Sequence, residues 1–244
     1  MLTPRPLVFL LDVDNTLLDN DRFAADLTAQ LDHDFGKLER ERYWSIYAGL
    51  RDALGYADYL GALQQFRLDN NDEAALLRLS FFLLDYPFGE RLYPRALEAI
   101  RYLGTIGTPV ILSDGDIVFQ PRKIQRAGLW DAVDGRVLVY VHKERMIDAT
   151  LQRYPAAHYV MVDDKPGLLA AIKRELAGRA STVFVRQGHY AAEATQAAID
   201  PAPDYTIDRI TDLRGFASVD FPAIATLHAA CVGRDGTIKV APPE

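Results

Sequence analysis

The 244-residue chain has a single cysteine, Cys231, so no disulfide can form within it, and it reads as a protein of a reducing compartment, the cytoplasm. Long apolar runs are also missing. The longest, such as residues 7–11 and 80–84, fall far short of a membrane span, so no membrane partner is expected. The opening MLTPRP is too short and too polar for a signal peptide. There is no surplus of positive charge. Lys and Arg number 27 against 34 Asp and Glu, a net charge of −7, which argues against a nucleic-acid surface but leaves room for a local basic site that takes a small anion. No internal repeat or low-complexity segment is present. The five histidines show no metal-ligand spacing.

What is there is an ordinary globular composition, 49% hydrophobic and 25% charged, long enough for a core and a smaller insert. Residues 7–13 read as a strand whose apolar residues, 7–11, run continuously rather than alternating, the pattern of a parallel strand covered on both faces. From Asp19 to about Tyr86 the period turns helical: Phe23, Leu27 and Leu31 recur every four residues, and Tyr43, Ile46, Tyr47, Leu50 and Leu54 continue a helical stripe. Asp72 is placed to cap a third helix. Past Pro87 and Gly89, strands and helices alternate. Strands are expected at 108–113, 136–141, 158–162 and 182–185, with a short edge strand at 205–207. Helices are expected from Pro94 to about Gly104 or Gly107, and at 121–127, 144–153 and 166–177. This is the pattern of an α/β fold, a doubly wound, Rossmann-like parallel sheet with an inserted all-α cap. The expected division is a core of residues 1–17 and 90–214, a helical cap of 18–89, and an extension of 215–244 with a short helix near 223–230 that holds Cys231.

Open α/β sheets bind ligands beyond the carboxyl ends of their strands. After the first expected strand come Asp12, Asp14 and Thr16. After the second come Ser113, Asp114 and Gly115. Lys143 follows the third, and Asp163 and Asp164 follow the fourth. Each alone has an ordinary reading, since aspartate and serine at strand ends cap helices and make turns. In this order they converge on one edge.

On these residues the chain resembles the haloacid dehalogenase superfamily. DVDNT (12–16) matches its first motif, Ser113 in VILSDGD the second, Lys143 in VHKERM the third, and Asp163-Asp164 in VMVDDKP the fourth. The helical insert matches the superfamily's C1-type cap. The resemblance implies that Asp12 is a nucleophile forming an aspartyl-phosphate, that Asp14 is general acid and then base, and that Ser113 and backbone amides near Asp14 and Asp114 hold the phosphoryl oxygens. It implies a hard cation, Mg²⁺, on Asp12, the backbone carbonyl of Asp14, and Asp164, with Asp163 a further ligand or an orienting partner. Lys143 would balance charge. Lys165, beside the acidic pair, is its rival for that place. Thr16, Asp114 and Gly115 are candidate substrate contacts.

In the insert, Arg42, Tyr43, Tyr47 and Arg51 could face a substrate. The tyrosines sit at core spacing, which leaves Arg51 as the candidate anion contact. The function implied is a Mg²⁺-dependent phosphatase acting on a small phosphorylated metabolite, as a monomer or homodimer. Other chemistries stay open: a phosphomutase, a phosphonatase using Lys37 (the one cap lysine), or a phosphate-binding module without turnover. A dehalogenase would have no use for Asp14.

Overall fold

The structure, a computed structural model, describes residues 5–194 and 199–221. The helix expected near 223–230 and Cys231 lie outside the described residues.

The first strand, β1 (Arg5–Leu11), sends alternate side chains to two separate apolar cores, which is why its sequence is apolar throughout. Leu7, Phe9 and Leu11 join one core, and Val8 and Leu10 the other. Three helices follow before the next strand: α1 (Asn20–Leu54), α2 (Tyr59–Phe66) and α3 (Glu73–Asp85). The chain then runs α4 (Ala96–Ile106), β2 (Thr108–Asp114), α5 (Phe119–Arg126), α6 (Leu129–Ala132), β3 (Val137–Tyr140), α7 (Ile147–Arg153), β4 (Ala156–Asp163), α8 (Pro166–Leu176), β5 (Ala180–Val185), α9 (Gly188–Ala194) and β6 (Tyr205–Ile207). The six strands form one parallel sheet in the order β3-β2-β1-β4-β5-β6. Chain direction across the sheet reverses between β1 and β4, and the site lies beyond that point. No helix among the described residues is long and apolar enough to cross a membrane.

The two cores divide the helices. Ile147, Leu169, Ile172, Leu176 and Ala191, from α7, α8 and α9, pack on Val8 and Leu10. The other core runs unbroken from Phe9 through α4 and α5 into the helical insertion, where Phe23, Leu27, Tyr43, Tyr59 and Phe66 are buried. Phe23 anchors that continuity, with ring centroids 5.2 Å from Tyr59, 4.9 Å from Tyr86, 5.0 Å from Phe88 and 5.9 Å from Phe119. The two chain segments that join the insertion to the sheet are hydrogen-bonded to each other. Asp19 N donates to Arg91 O (2.7 Å) and Tyr93 N to Leu17 O (2.9 Å).

Several boundaries depart from the sequence reading for local reasons. The two helical stripes of the insertion are one long element, α1, capped by Asp19 and broken at Gly36, whose φ of 80° and ψ of 171° are not helical. Asp72 caps α3, its carboxylate accepting from Ala75 N. Pro94 does not begin α4. Tyr93 is held by Leu17, so the chain turns through Arg95 (φ 64°) and the helix starts at Ala96. The 144–153 helix is split at Met146 into a 3₁₀ turn, Lys143–Arg145, and α7.

Candidate active site

The end of β1 turns at once. Asp12 N still donates to Val162 O of β4 (3.0 Å), but the amides of Thr16, Leu17 and Leu18 all converge on Val13 O. Asn15 takes the left-handed conformation (φ 59°) that Asn tolerates better than most residues, and its Oδ1 accepts from the amides of Asn20 and Asp21. The chain therefore leaves the strand between Asp12 and Asp14, and Asp14 meets partners on α5.

Lys143 is fully buried and bridges two carboxylates. Its Nζ lies 2.5 Å from Asp12 Oδ1 and 2.6 Å from Asp163 Oδ2, and its amide donates to Asp114 Oδ1 (2.8 Å). Burial works against its charge, but Asp12, Asp163 and Asp114 outweigh burial and hold the ammonium well above its ordinary value. Burial pushes the Asp114 carboxyl up. Asp163 is fully engaged, its other oxygen accepting from Lys165 N (2.8 Å).

Asp164 is the opposite case. Both of its oxygens, and Asp12 Oδ2, are buried with no hydrogen-bond partner. Burial, then Asp12 and Asp163, push the Asp164 carboxyl far above its usual range. Carboxylate oxygens of Asp12, Asp163 and Asp164 all lie within 4.8 Å of one another. Buried acceptors without donors are costly, and a hard cation with oxygen ligands is the group this donor set fits. Asp12 Oδ2 and Asp164 are free to ligate it, while Asp163 is already committed to Lys143.

Asp14 is held from α5. Lys123 Nζ donates to its Oδ1 (2.6 Å), and Gln120 Nε2 to its Oδ2 (3.1 Å) and to Ser113 Oγ (2.9 Å). Ser113 is buried at the end of β2. Gly115 (φ 153°) leaves room for this packing, since a Cβ there would come 2.8 Å from Gln120 Cβ. Thr16 is fully buried and its hydroxyl has no hydrogen-bond partner.

Beside Asp14 a cleft of about 200 Å³ opens between the sheet edge and the insertion. Asp14, Asp114 and Lys165 line it from the sheet side, and Tyr47, Arg51 and Tyr56 from the insertion. Arg51 thus stands where a substrate could reach it. Tyr47 lines the cleft as well as stacking on Tyr59, whereas Tyr43 is wholly core. Arg42 is turned away, paired with Glu39 and Asp69. Lys37 is 77% exposed and approaches only Glu41, at 3.9 Å.

Sequence reasoning missed the fifth strand's contribution. His189 follows β5, its Nδ1 lies 2.6 Å from Asp21 Oδ1, and its amide donates to Asp21 Oδ2, clasping the start of α1. His189 and Tyr190 line the cleft, with the Lys165 ammonium 5.3 Å from the Tyr190 ring. Reading past the end of the fifth strand, as for the first four, points to QGHY. Gln120 and Lys123 were missed too; their i, i+3 spacing puts them on one helix face.

Comparison with known proteins agrees with this geometry. The family described as haloacid dehalogenase-like hydrolase matches residues 7–175. Among solved structures, a haloacid dehalogenase-like hydrolase of Burkholderia xenovorans LB400 is 56% identical, with a TM-score of 0.81, covering 87% of this chain and 99% of its own. An L-2-haloacid dehalogenase of Xanthobacter autotrophicus is 20% identical (TM-score 0.53, 87% and 98% covered). A HAD-hydrolase of Bacillus subtilis bound to magnesium, YfnB, is 18% identical (TM-score 0.57, 88% and 98% covered). At these lower identities the likeness is one of fold. A search of curated proteins finds no match.

Proposed function

The chain belongs to the haloacid dehalogenase-like hydrolases, and within that family we propose that it is a Mg²⁺-dependent phosphatase that hydrolyses a small phosphate monoester through a phosphoryl group carried on Asp12. The observation that carries this reading is the pairing of two features. Three buried carboxylate oxygens of Asp12 and Asp164 lack partners, and a further carboxylate, Asp14, two residues past Asp12, lines the cleft.

A carboxylate attacking a phosphate ester is an anion approaching an anion. Asp12, Asp164 and the Asp14 carbonyl would hold a Mg²⁺ ion, which would supply positive charge at that meeting point. Lys143 fixes Asp12 Oδ1 and balances charge as the phosphoryl group arrives. Ser113 Oγ and the amides of the Asp14 and Asp114 loops hold phosphoryl oxygens. As the ester P–O bond breaks, the Asp14 carboxyl gives its proton to the departing oxygen. Asp14, now a carboxylate, then takes a proton from water as that water's oxygen attacks phosphorus. Phosphate leaves, Asp12 is free again, and Asp14 is reprotonated, so each turn consumes one ester and one water.

Residues 18–89 serve as the cap that closes over the substrate and limits its size. Arg51 and Lys165 would meet its anionic groups. A dehalogenase is the rival suggested by relatives of the same fold. Its reaction at carbon needs neither an acid at Asp14 nor a cation, and it would leave the two buried oxygens of Asp164 without a purpose. A phosphonatase would need an amine from the cap in the cleft, and exposed Lys37, the one lysine of residues 18–89, lies outside its lining.

The test is phosphate release from p-nitrophenyl phosphate with and without Mg²⁺, for wild type and Asp12→Asn, beside chloride release from L-2-chloropropionate. Mg²⁺-dependent phosphate release that vanishes in the variant is expected. Chloride release without phosphate release would overturn the reading.

A further inference from the structure

Lys123 is a buried cation that the four sequence motifs do not account for. It sits in α5 with its side chain 1% exposed. Its Nζ donates to Asp14 Oδ1 at 2.6 Å and to Asn20 Oδ1 at 2.9 Å. The rings of Phe23, Phe88 and Phe119 surround it at 5.8, 5.7 and 5.7 Å. An ammonium at such a place is expensive to desolvate, and a leucine or methionine would fill the same space without that cost. Cation–π contact offsets part of the penalty, and the Asp14 carboxylate offsets more.

The partners come from each part of the junction between sheet and insertion. Asp14 belongs to the loop after β1. Asn20 and Phe23 open α1, Phe88 lies in the returning segment, and Phe119 is in α5 with Lys123 itself. Asn20 itself lines the cleft, as does Tyr47, which stacks on buried Tyr59. A line of polar contacts therefore runs from Asp14 through Lys123 to Asn20, the first residue of the insertion's longest helix and part of the cleft lining.

The two oxygens of Asp14 are held unequally. Oδ1 takes a charged donor at 2.6 Å, whereas Oδ2 takes the neutral amide of Gln120 at 3.1 Å. A charge-assisted bond is the stronger hold. Gln120 also donates to Ser113 Oγ, which leaves the Ser113 hydroxyl proton free to turn to a phosphoryl oxygen and couples the weaker hold on Asp14 to the residue that would bind that group.

We propose that Lys123 is a positioning residue: it fixes Asp14 through Oδ1, leaves Oδ2 as the oxygen that exchanges a proton with the ester oxygen and with water, and ties that geometry to the insertion through Asn20. This rests on the phosphatase reading above. Lys123 does not touch the substrate; its effect reaches the reaction through Asp14 alone.

The experiment compares kcat/KM for two esters of similar shape, p-nitrophenyl phosphate and phenyl phosphate, in wild type, Lys123→Met and Asp14→Asn, all with Mg²⁺. p-Nitrophenolate departs without a proton, while phenolate gains much from one. Well-placed acid catalysis is worth about 10²–10⁴-fold. Losing its positioning should therefore widen the preference for the nitrophenyl ester by roughly 10-fold or more, with phenyl phosphate turnover falling furthest. Lys123→Met should add little in the Asp14→Asn background, because both changes remove one function. A purely structural role would lower both esters by the same factor, and that result overturns the proposal. If Lys123→Met fails to fold, Asn20→Ala decides: the same shift, smaller, supports the relay, and an unchanged ratio overturns it. Wild type without Mg²⁺-dependent turnover of either ester would sink the phosphatase reading itself. An active wild type with an unmoved ratio sinks only the role of Lys123.

Discussion

Gly55 lies against His142. A Cβ on this glycine would come 2.3 Å from the imidazole Cε1, and its φ of +81° closes α1 in the left-handed conformation. The end of the insertion's longest helix thus rests on the residue before Lys143. Gly55→Ala should therefore do two separable things. The left-handed backbone should cost about 1–2 kcal/mol of stability, and the displaced helix end should raise KM for substrate. Adding His142→Ala should restore KM but not stability. Thermal unfolding and steady-state kinetics on the three variants check this. KM unchanged in Gly55→Ala would show that the contact does not set the cleft.

Lys143→Met leaves Asp12 and Asp163 buried without their shared counter-ion. Breaking a buried pair from one side costs about 3–5 kcal/mol. For a chain of this size that corresponds to a fall in Tm on the order of 10 °C. Adding Asp163→Asn should recover part of the loss, since one fewer charge is stranded. Scanning calorimetry reads both. A Tm within a degree or two of wild type would mean that water or another group takes the ammonium's place.

Divalent cations should stabilise the wild type through the unpartnered oxygens of Asp12 and Asp164. At 100 times its dissociation constant a cation adds about 2.7 kcal/mol. Mg²⁺ should raise Tm in wild type and leave Asp164→Asn nearly unmoved. This holds for a non-hydrolytic readout, so it stands apart from any assay of turnover. Equal shifts in both proteins would place the ion elsewhere.

Asp204 supplies an acid-side signature far from the active site. Burial alone would raise its carboxyl, but hydrogen bonds from Lys173 Nζ and from the amide and hydroxyl of Thr182 outweigh burial and hold it below the ordinary value. The unfolded chain then binds the proton more readily than the folded one. The stability that Asp204 contributes is present above the unfolded carboxylate value of about 3.9 and is lost as pH falls through the lower folded value. Asp204→Asn should lower stability near neutral pH and flatten its decline toward about pH 3. Urea midpoints at several pH values measure this. Parallel curves for the two proteins would contradict it.

Much of the fold could be read from the chain because its cues are local. The apolar run of β1, the Asp72 cap and the edge strand at Tyr205–Ile207 all lie where residue type and period put them. The turn that carries Asp14 out of the strand and toward α5 could only be surmised, since it depends on Asn15 adopting positive φ. The choice between Lys143 and Lys165 was likewise beyond the sequence. Both follow strands, and only the packing shows Lys143 bridging Asp12 and Asp163 while Lys165 faces Tyr190. Lys123 was hidden for a different reason. It sits in QPRKIQR, a segment so charged that it reads as a solvated face, yet its ammonium is turned inward by Phe119 of its own helix and by Phe23 and Phe88, brought from distant parts of the chain.

The two segments that join the helical insertion to the sheet run antiparallel and meet at the Leu18–Leu92 bridge, flanked by the Asp19–Arg91 and Leu17–Tyr93 hydrogen bonds. From the sheet's side, the chain leaves and returns at one spot. Holding both ends together there makes the span between them a closed loop, whose entropy cost grows only with the logarithm of its length. The strands therefore feel the insertion's attachment point far more than its size. Helices could be lengthened or exchanged beyond the first turn of α1, which Asn20 and Phe23 tie to α5, with little consequence for the register of β1 against β2 and β4. The fold thus has a socket, in which the part that sees the substrate can vary while the part that does the chemistry stays as it is.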